Sequence, residues 1–184
     1  MNSGPIIYRY AKALLKYVQE LGSGDRVYSQ AQILVHMMNK VPQIAHYISD
    51  ASDISLDQKV SLLSTALNEP LDPALTDFLK VVSTNRRKEY FPRMLWAFIE
   101  QYRQENNIKV GSIVTAAEVG GLKESLETHL SEKTGAVVFL EEKIDPDILG
   151  GFILEMDGCR LDASVESYLA RIRSQLVESN NRIV

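Results

Sequence analysis

Histidine, cysteine, clustered carboxylates and glycine-rich loops are the usual raw material of catalytic and metal sites, and this sequence spaces them poorly for either. Its three histidines are His36, His46 and His129. A helix presents two metal ligands on one face when they stand three or four residues apart. His36 and His46 are ten apart, and His129 lies in the other half of the chain, so helix-surface or core-edge histidines are expected and no metal site. Gly120-Gly121 and Gly150-Gly151 belong to neither the dinucleotide nor the P-loop pattern, and read as turns. Glu141, Glu142, Asp145 and Asp147 crowd acids together. A catalytic carboxyl pair needs one member desolvated, whereas this stretch is polar on both sides and reads as a solvated loop. Cys159 has no neighbouring His or Lys to lower its pKa, so a buried or edge thiol is expected and not a nucleophile. With no base, nucleophile, metal or cofactor loop assembled, the expectation is a non-enzyme: catalytic residues none, cofactors none.

The charges exclude a second class. Lys and Arg number 20 against 24 Asp and Glu. Residues 1–105 carry 12 basic and 11 acidic side chains, residues 106–184 carry 8 and 13. A nucleic-acid surface draws its affinity from clustered cations, and the longest basic run here is Arg86-Arg87-Lys88, which reads as a solvated helix end. No run of about 18 apolar residues is present to span a bilayer, so no direct membrane insertion is expected. Neither a signal peptide nor an Arg-rich transit segment is expected ahead of the first helix, which places the protein where it is made. At 184 residues and 45% hydrophobic the chain has enough apolar material for one large core or two small ones, and disorder is ruled out. A lone cysteine excludes a disulfide scaffold and points to a reducing compartment.

The elements that must position any site follow from periodicity. Ile7, Ala11, Leu14, Val18 and Leu21 predict a first helix, with Ser3 and Pro5 to start it. It carries a second apolar row, Tyr10, Ala13 and Tyr17, on a flank that a simple surface helix would leave polar. Val27, Ala31, Leu34, Met38 and Val41 predict a second helix stopped by Pro42, which opens a short third through Ile44, Tyr47 and Ile48. Ser55-Leu56-Asp57-Gln58 has the form of a capping box ahead of Val60, Leu63 and Leu67. Asp72-Pro73 opens a fifth helix with Leu75, Phe78, Leu79 and Val82 inward, and a sixth runs through Leu95, Phe98, Ile99 and Tyr102.

After Glu105-Asn106-Asn107 the pattern changes. Ile108 to Ala117 reads as a strand, Val119, Leu122, Leu126 and Leu130 as a helix ending near Gly135, and Ala136 to Leu140 as a second strand. Phe152 to Met156, Asp157-Gly158 and Cys159 to Leu161 form the clearest hairpin signal, because Asp-Gly accepts the positive φ of a tight turn. A closing helix carries Val165, Leu169, Ile172 and Leu176. The expected fold is mainly α: a six-helix N-terminal bundle over 1–106 and a small α+β C-terminal domain over 107–184. Pattern alone supports a two-domain binding or assembly protein, with a generic helical scaffold or regulatory binding module as the reading that assumes least.

Three segments then resemble one family. Ile7-Tyr8-Arg9-Tyr10-Ala11-Lys12-Ala13-Leu14 resembles the R-x-Y-A-x-A-L opening of the F-type ATP synthase delta subunit, whose mitochondrial counterpart is the oligomycin-sensitivity-conferring protein. Phe78 to Arg87, followed by Phe91-Pro92, is similar to the family's F-L-x-x-L-x-x-N-x-R segment. Ile144-Asp145-Pro146-Asp147-Ile148-Leu149-Gly150-Gly151-Phe152 and then Leu161-Asp162-Ala163-Ser164-Val165 resemble its D-P-x-x-x-G-G-F and D-G-S-V signature. Ala163 in place of Gly and the Cys159-Arg160 hairpin exit depart from it.

The resemblance implies a non-catalytic stator subunit of the peripheral stalk, which links the catalytic alpha/beta hexamer to the stalk b subunits and resists torque. It also implies a place at the cytoplasmic face of a bacterial inner membrane. In such a protein the first domain receives the N-terminal helix of an alpha subunit between its first and fifth helices. Tyr10, Ala13 and Tyr17 with Asp77, Val81 and Asn85 would line that groove; read without the resemblance, the two tyrosines pack between helices. The second domain would meet the b subunits through Phe152, Leu154, Leu161 and Leu169, residues that serve equally as the domain's own core.

Overall fold

The computed structural model describes residues 4–50 and 55–181, with side chains for 4–49 and 55–175. Ser3 as a helix start and the side chain of Leu176 lie outside these. The chain divides into two compact units, 1–106 and 107–184.

The first unit is built from α1 (Gly4–Leu21), α2 (Gly24–Lys40), α3 (Pro42–Asp50), α4 (Leu56–Leu67), α5 (Pro73–Thr84), a 3-10 turn at Lys88–Tyr90, and α6 (Phe91–Glu105). Burial follows the apolar rows: Ala11, Leu14, Leu15 and Val18 are buried on α1 and Phe91, Met94, Leu95 and Phe98 on α6, the helix on which α1 packs most extensively. The row ends differ from expectation. Leu21 is exposed in the last turn of α1, and Val41 is the exposed C-cap of α2, because a helix end turns out of the core before its sequence stops being apolar.

Local chemistry sets the boundaries. Ser55 Oγ accepts from the Gln58 amide at 3.3 Å and Gln58 Oε1 accepts from the Ser55 amide at 3.0 Å, the reciprocal capping of α4. Asp72 Oδ1 accepts from the Ala74 amide at 2.9 Å, with Pro73 at the first helical position, to start α5. Buried Gln30 ties this start to α2, accepting from the Asp72 amide at 2.9 Å and donating to the Pro70 carbonyl at 3.0 Å. Lys59 is buried in α4 and donates to the Ile48 carbonyl at 2.9 Å; burial, reinforced by nearby Lys88, lowers its pKa.

The second unit is a four-stranded sheet in the order β2-β1-β3-β4, made of β1 (Ile108–Thr115), β2 (Val137–Ile144), β3 (Phe152–Met156) and β4 (Cys159–Asp162). Helix α7 (Leu122–Thr134) connects β1 to its parallel neighbour β2, and β1–β3 and β3–β4 are antiparallel. Leu122, Leu126 and Leu130 of α7 cover Ile113, Val138, Leu140 and Leu154 on one face. Val119 lies outside α7, exposed ahead of the positive-φ Gly121 that starts it.

The acidic stretch corrects a sequence expectation. Glu141 and Glu142 are in β2, pairing with Ser112 and Ile113, and not in a loop. A parallel partner supplied by a distant segment extends the strand beyond where its own residues signal one. Both side chains stay exposed, and Cys159 is exposed on edge strand β4. Helix α8 (Val165–Asn181) closes the unit, against the short 3-10 turn Pro146–Ile148.

Candidate functional site

The second apolar row of α1 turns toward α5. Tyr10 packs edge-on against Phe78 with 6.5 Å between ring centroids, and the Arg87 guanidinium carbon lies 5.5 Å from the Tyr10 centroid. One end of the groove is therefore an arginine stacked on a tyrosine, an arrangement that holds both side chains in place. At the other end Tyr17 Oη donates to Asp77 Oδ2 at 3.1 Å, reaching from one helix to the other. That hydrogen bond holds the Tyr17 phenol above its usual pKa.

Between these ends is an open cavity of about 500 Å³ whose walls include Ala13 of α1 and Val81 of α5, with Leu14 and Phe78 at its floor and Arg9 at its rim. Val81 is 50% exposed, an apolar side chain left facing solvent across from a residue small enough to admit a close neighbour. Five of the six groove residues named from the sequence, Tyr10, Ala13, Tyr17, Asp77 and Val81, line this one cavity. Asn85 does not line it. It caps α5, its Nδ2 donating to the Val81 carbonyl at 2.9 Å. Arg9 and Arg87 were not assigned to the groove, although both stand in the segments that carry the resemblance. Their position in those motifs was the available signal.

In the second unit the named residues separate. Leu154 is buried under α7 and Phe152 packs on the same cluster, so both belong to the core. Leu161 and Leu169 are 55% and 50% exposed. Leu169 shares its helix face with Val165 and Ile172, also exposed, so α8 presents an apolar row at a spacing of four and three.

The signature loop has a physical basis. Asp145 Oδ1 accepts from the Asp147 amide at 3.1 Å to start the 3-10 turn. Gly151, at φ +72°, lies directly against the Ala163 backbone, where a Cβ has no room. Asp162 accepts from the Ser164 amide at 3.0 Å, the Ser164 hydroxyl at 2.6 Å and the Ser167 hydroxyl at 2.9 Å, which hold its carboxyl below the usual range. Ser164 Oγ in turn accepts from the Ser167 amide at 3.2 Å, capping α8. Ala163 has a negative φ, so nothing in this chain requires glycine there.

Among the described residues no three His, Cys, Asp or Glu side chains gather to hold a metal ion, and no helix is long and apolar enough to cross a membrane.

A family model described as the ATP synthase delta (OSCP) subunit matches residues 6–176. The chain belongs to this family. Similar delta/OSCP relatives include "ATP synthase subunit delta" of Phocaeicola vulgatus, 35% identical with 100% of each chain covered. The "ATP synthase subunit delta" of Bacteroides thetaiotaomicron is 33% identical, again over 100% of both chains. In fold the chain resembles a chain from the cryo-EM structure of the Toxoplasma gondii mitochondrial ATP synthase hexamer, with a TM-score of 0.61, 22% identity, and coverage of 93% of this chain and 97% of that one.

Proposed function

We propose that the groove between α1 and α5 receives the N-terminal helix of an ATP synthase alpha subunit, and that the second unit engages the b subunits of the peripheral stalk. The delta/OSCP family is that of a non-catalytic peripheral-stalk subunit of the F-type ATP synthase, associated with the membrane through its complex. A subunit of this kind works by binding: rotation of the shaft drags the catalytic hexamer round unless a static link holds it. One link must grip two partners. The bacterial relatives support placing it at the cytoplasmic face of the inner membrane.

The observation that carries the first contact is the groove itself. Two aromatic rings from α1, a small residue between them and an exposed valine opposite make an apolar trough between two helices. An amphipathic helix laying anchors at i, i+3/i+4 and i+7 fits such a trough. For the second contact the exposed row Val165, Leu169 and Ile172 on α8, with Leu161 on edge strand β4, replaces the buried Leu154 and the half-buried Phe152 as the surface offered to a b helix.

The test is calorimetric titration of the protein with a synthetic alpha-subunit N-terminal peptide. Ala13→Asp and Val81→Asp place a charge in a trough that docking dries, at a cost of several kcal/mol, so each loses at least tenfold in affinity while keeping a native circular dichroism spectrum. Unchanged affinity in both folded variants overturns the groove assignment.

A further inference from the structure

The groove is not electrically uniform along its length, and that asymmetry bears on what it accepts. Tyr17 of α1 meets Asp77 in the early part of α5, and Tyr10 meets Arg87, three residues past the C-terminal Thr84 of that helix, so the two walls are antiparallel. Seven residues separate Tyr10 from Tyr17, a span of about 10 Å or two helical turns. At the Tyr10 end stand Arg9, on the cavity rim, and Arg87, stacked on the ring. At the Tyr17 end stands Asp77, exposed, its carboxylate accepting from the tyrosine hydroxyl. Lys12, Lys16 and Lys80 do not line the cavity. Its charged lining is thus Arg9 at one end and Asp77 at the other, with Arg87 outside the lining but stacked on the Tyr10 ring at the cationic end.

Resting on the reading of this groove as a helix site, we propose that its charge polarity fixes the direction of the docked helix. The partner is an amphipathic helix with carboxylates in the turn over Arg9 and Arg87 and a lysine or arginine in the turn over Asp77. Full side-chain charges outweigh the half charge of a helix end, so they decide the orientation. Helices commonly carry acids in the first turn and bases in the last. A helix of that ordinary kind lies with its N-terminus at the Tyr10 end, parallel to α1 and antiparallel to α5. The apolar trough alone tolerates either direction, because a stripe of hydrophobic anchors reads nearly the same both ways. The charges supply what the stripe lacks, by penalising the reversed pose with two like-charge contacts.

The direction is readable by paramagnetic NMR on the full-length protein. The probes are two 18-residue amphipathic peptides with one apolar face, each bearing a nitroxide at its N-terminus: one with Glu in the first turn and Lys in the last, the other reversed. The acid-first peptide should quench the amides around Tyr10, and the base-first peptide those around Tyr17. In the Arg9→Glu/Asp77→Lys variant the two patterns should exchange. Arg9→Glu alone should weaken the acid-first peptide by up to about fivefold, and less at high salt. Both peptides quenching the same end, or patterns indifferent to the charge reversal, overturns the polarity while the groove stands. Absence of any saturable shift at Ala13 and Val81 with either peptide removes the groove reading, and the polarity with it.

Discussion

Tyr102 illustrates how one side chain ties several elements together. Its ring stacks on Tyr28 of α2 at 4.7 Å between centroids, and its hydroxyl donates to Asp25 Oδ1 at 2.7 Å. A Cβ on Gly24 would sit 3.0 Å from that ring, so the start of α2 is shaped to admit it. Burial, with the Asp25 hydrogen bond adding to it, pushes the phenol up to about 12 from 10.0. Because the folded pKa is the higher, the contribution is fully present below pH 10 and is lost as pH rises through about 12. Tyr102→Phe should cost about 1 kcal/mol at neutral pH through the lost hydrogen bond, and should flatten the fall in stability across that alkaline window. Urea unfolding at a series of pH values from 8 to 12 measures both; an unchanged alkaline slope in the variant would assign the effect to another group.

At the level of elements, the closing helix depends on the loop before it. Asp162 and Ser164 supply the cap, and Gly151 lets the chain pass against the Ala163 backbone that leads into α8. Gly151→Ala adds a Cβ where backbone already lies and forces an L residue into the left-handed region. The two penalties together should destabilise the second unit by about 3 kcal/mol. Gly121 offers the comparison, at φ +80° with open space where a Cβ would stand. Gly121→Ala should cost about 1 kcal/mol. Equal losses for the two variants in chemical denaturation would show that the Gly151–Ala163 approach carries no weight.

For the whole molecule, the proposed function gives the two units a division of labour in series. Asn107 is held to the second unit, its carbonyl accepting from the Val137 amide at 3.0 Å and its Nδ2 donating to the Gly135 carbonyl at 2.8 Å. The junction therefore falls just before it, and limited proteolysis should cut between Glu105 and Asn107. On that proposal a strain whose chain ends at Asn106 should retain ATP hydrolysis by the catalytic hexamer yet lose ATP-driven proton pumping, since torque would pass through both proposed contacts and slip where one is missing. Retained pumping in that strain would remove the stalk role from residues 107–184.

The six helices, the hairpin and the change of pattern near Asn106 were legible because each rests on short-range physics: an apolar period of 3.6, a capping serine or aspartate, an Asp-Gly turn whose two residues take φ +52° and +76°. The row Tyr10, Ala13 and Tyr17 was visible as a second apolar flank on α1, and the family resemblance implied a groove there, but periodicity alone did not give its meaning, since an apolar flank on a helix is the same string of residues whether a neighbour covers it or leaves it open. Tertiary structure decided that point by setting α5 far enough from α1 to leave a cavity with Arg87 at one end and Asp77 at the other. It likewise sorted Leu154 from Leu169, alike in sequence, into a buried strand position under α7 and an exposed helix face. Extension of β2 through Glu141 and Glu142 came from a partner strand some thirty residues earlier in the chain. Periodicity states which residues share a face; only packing between distant segments determines which faces remain for a partner.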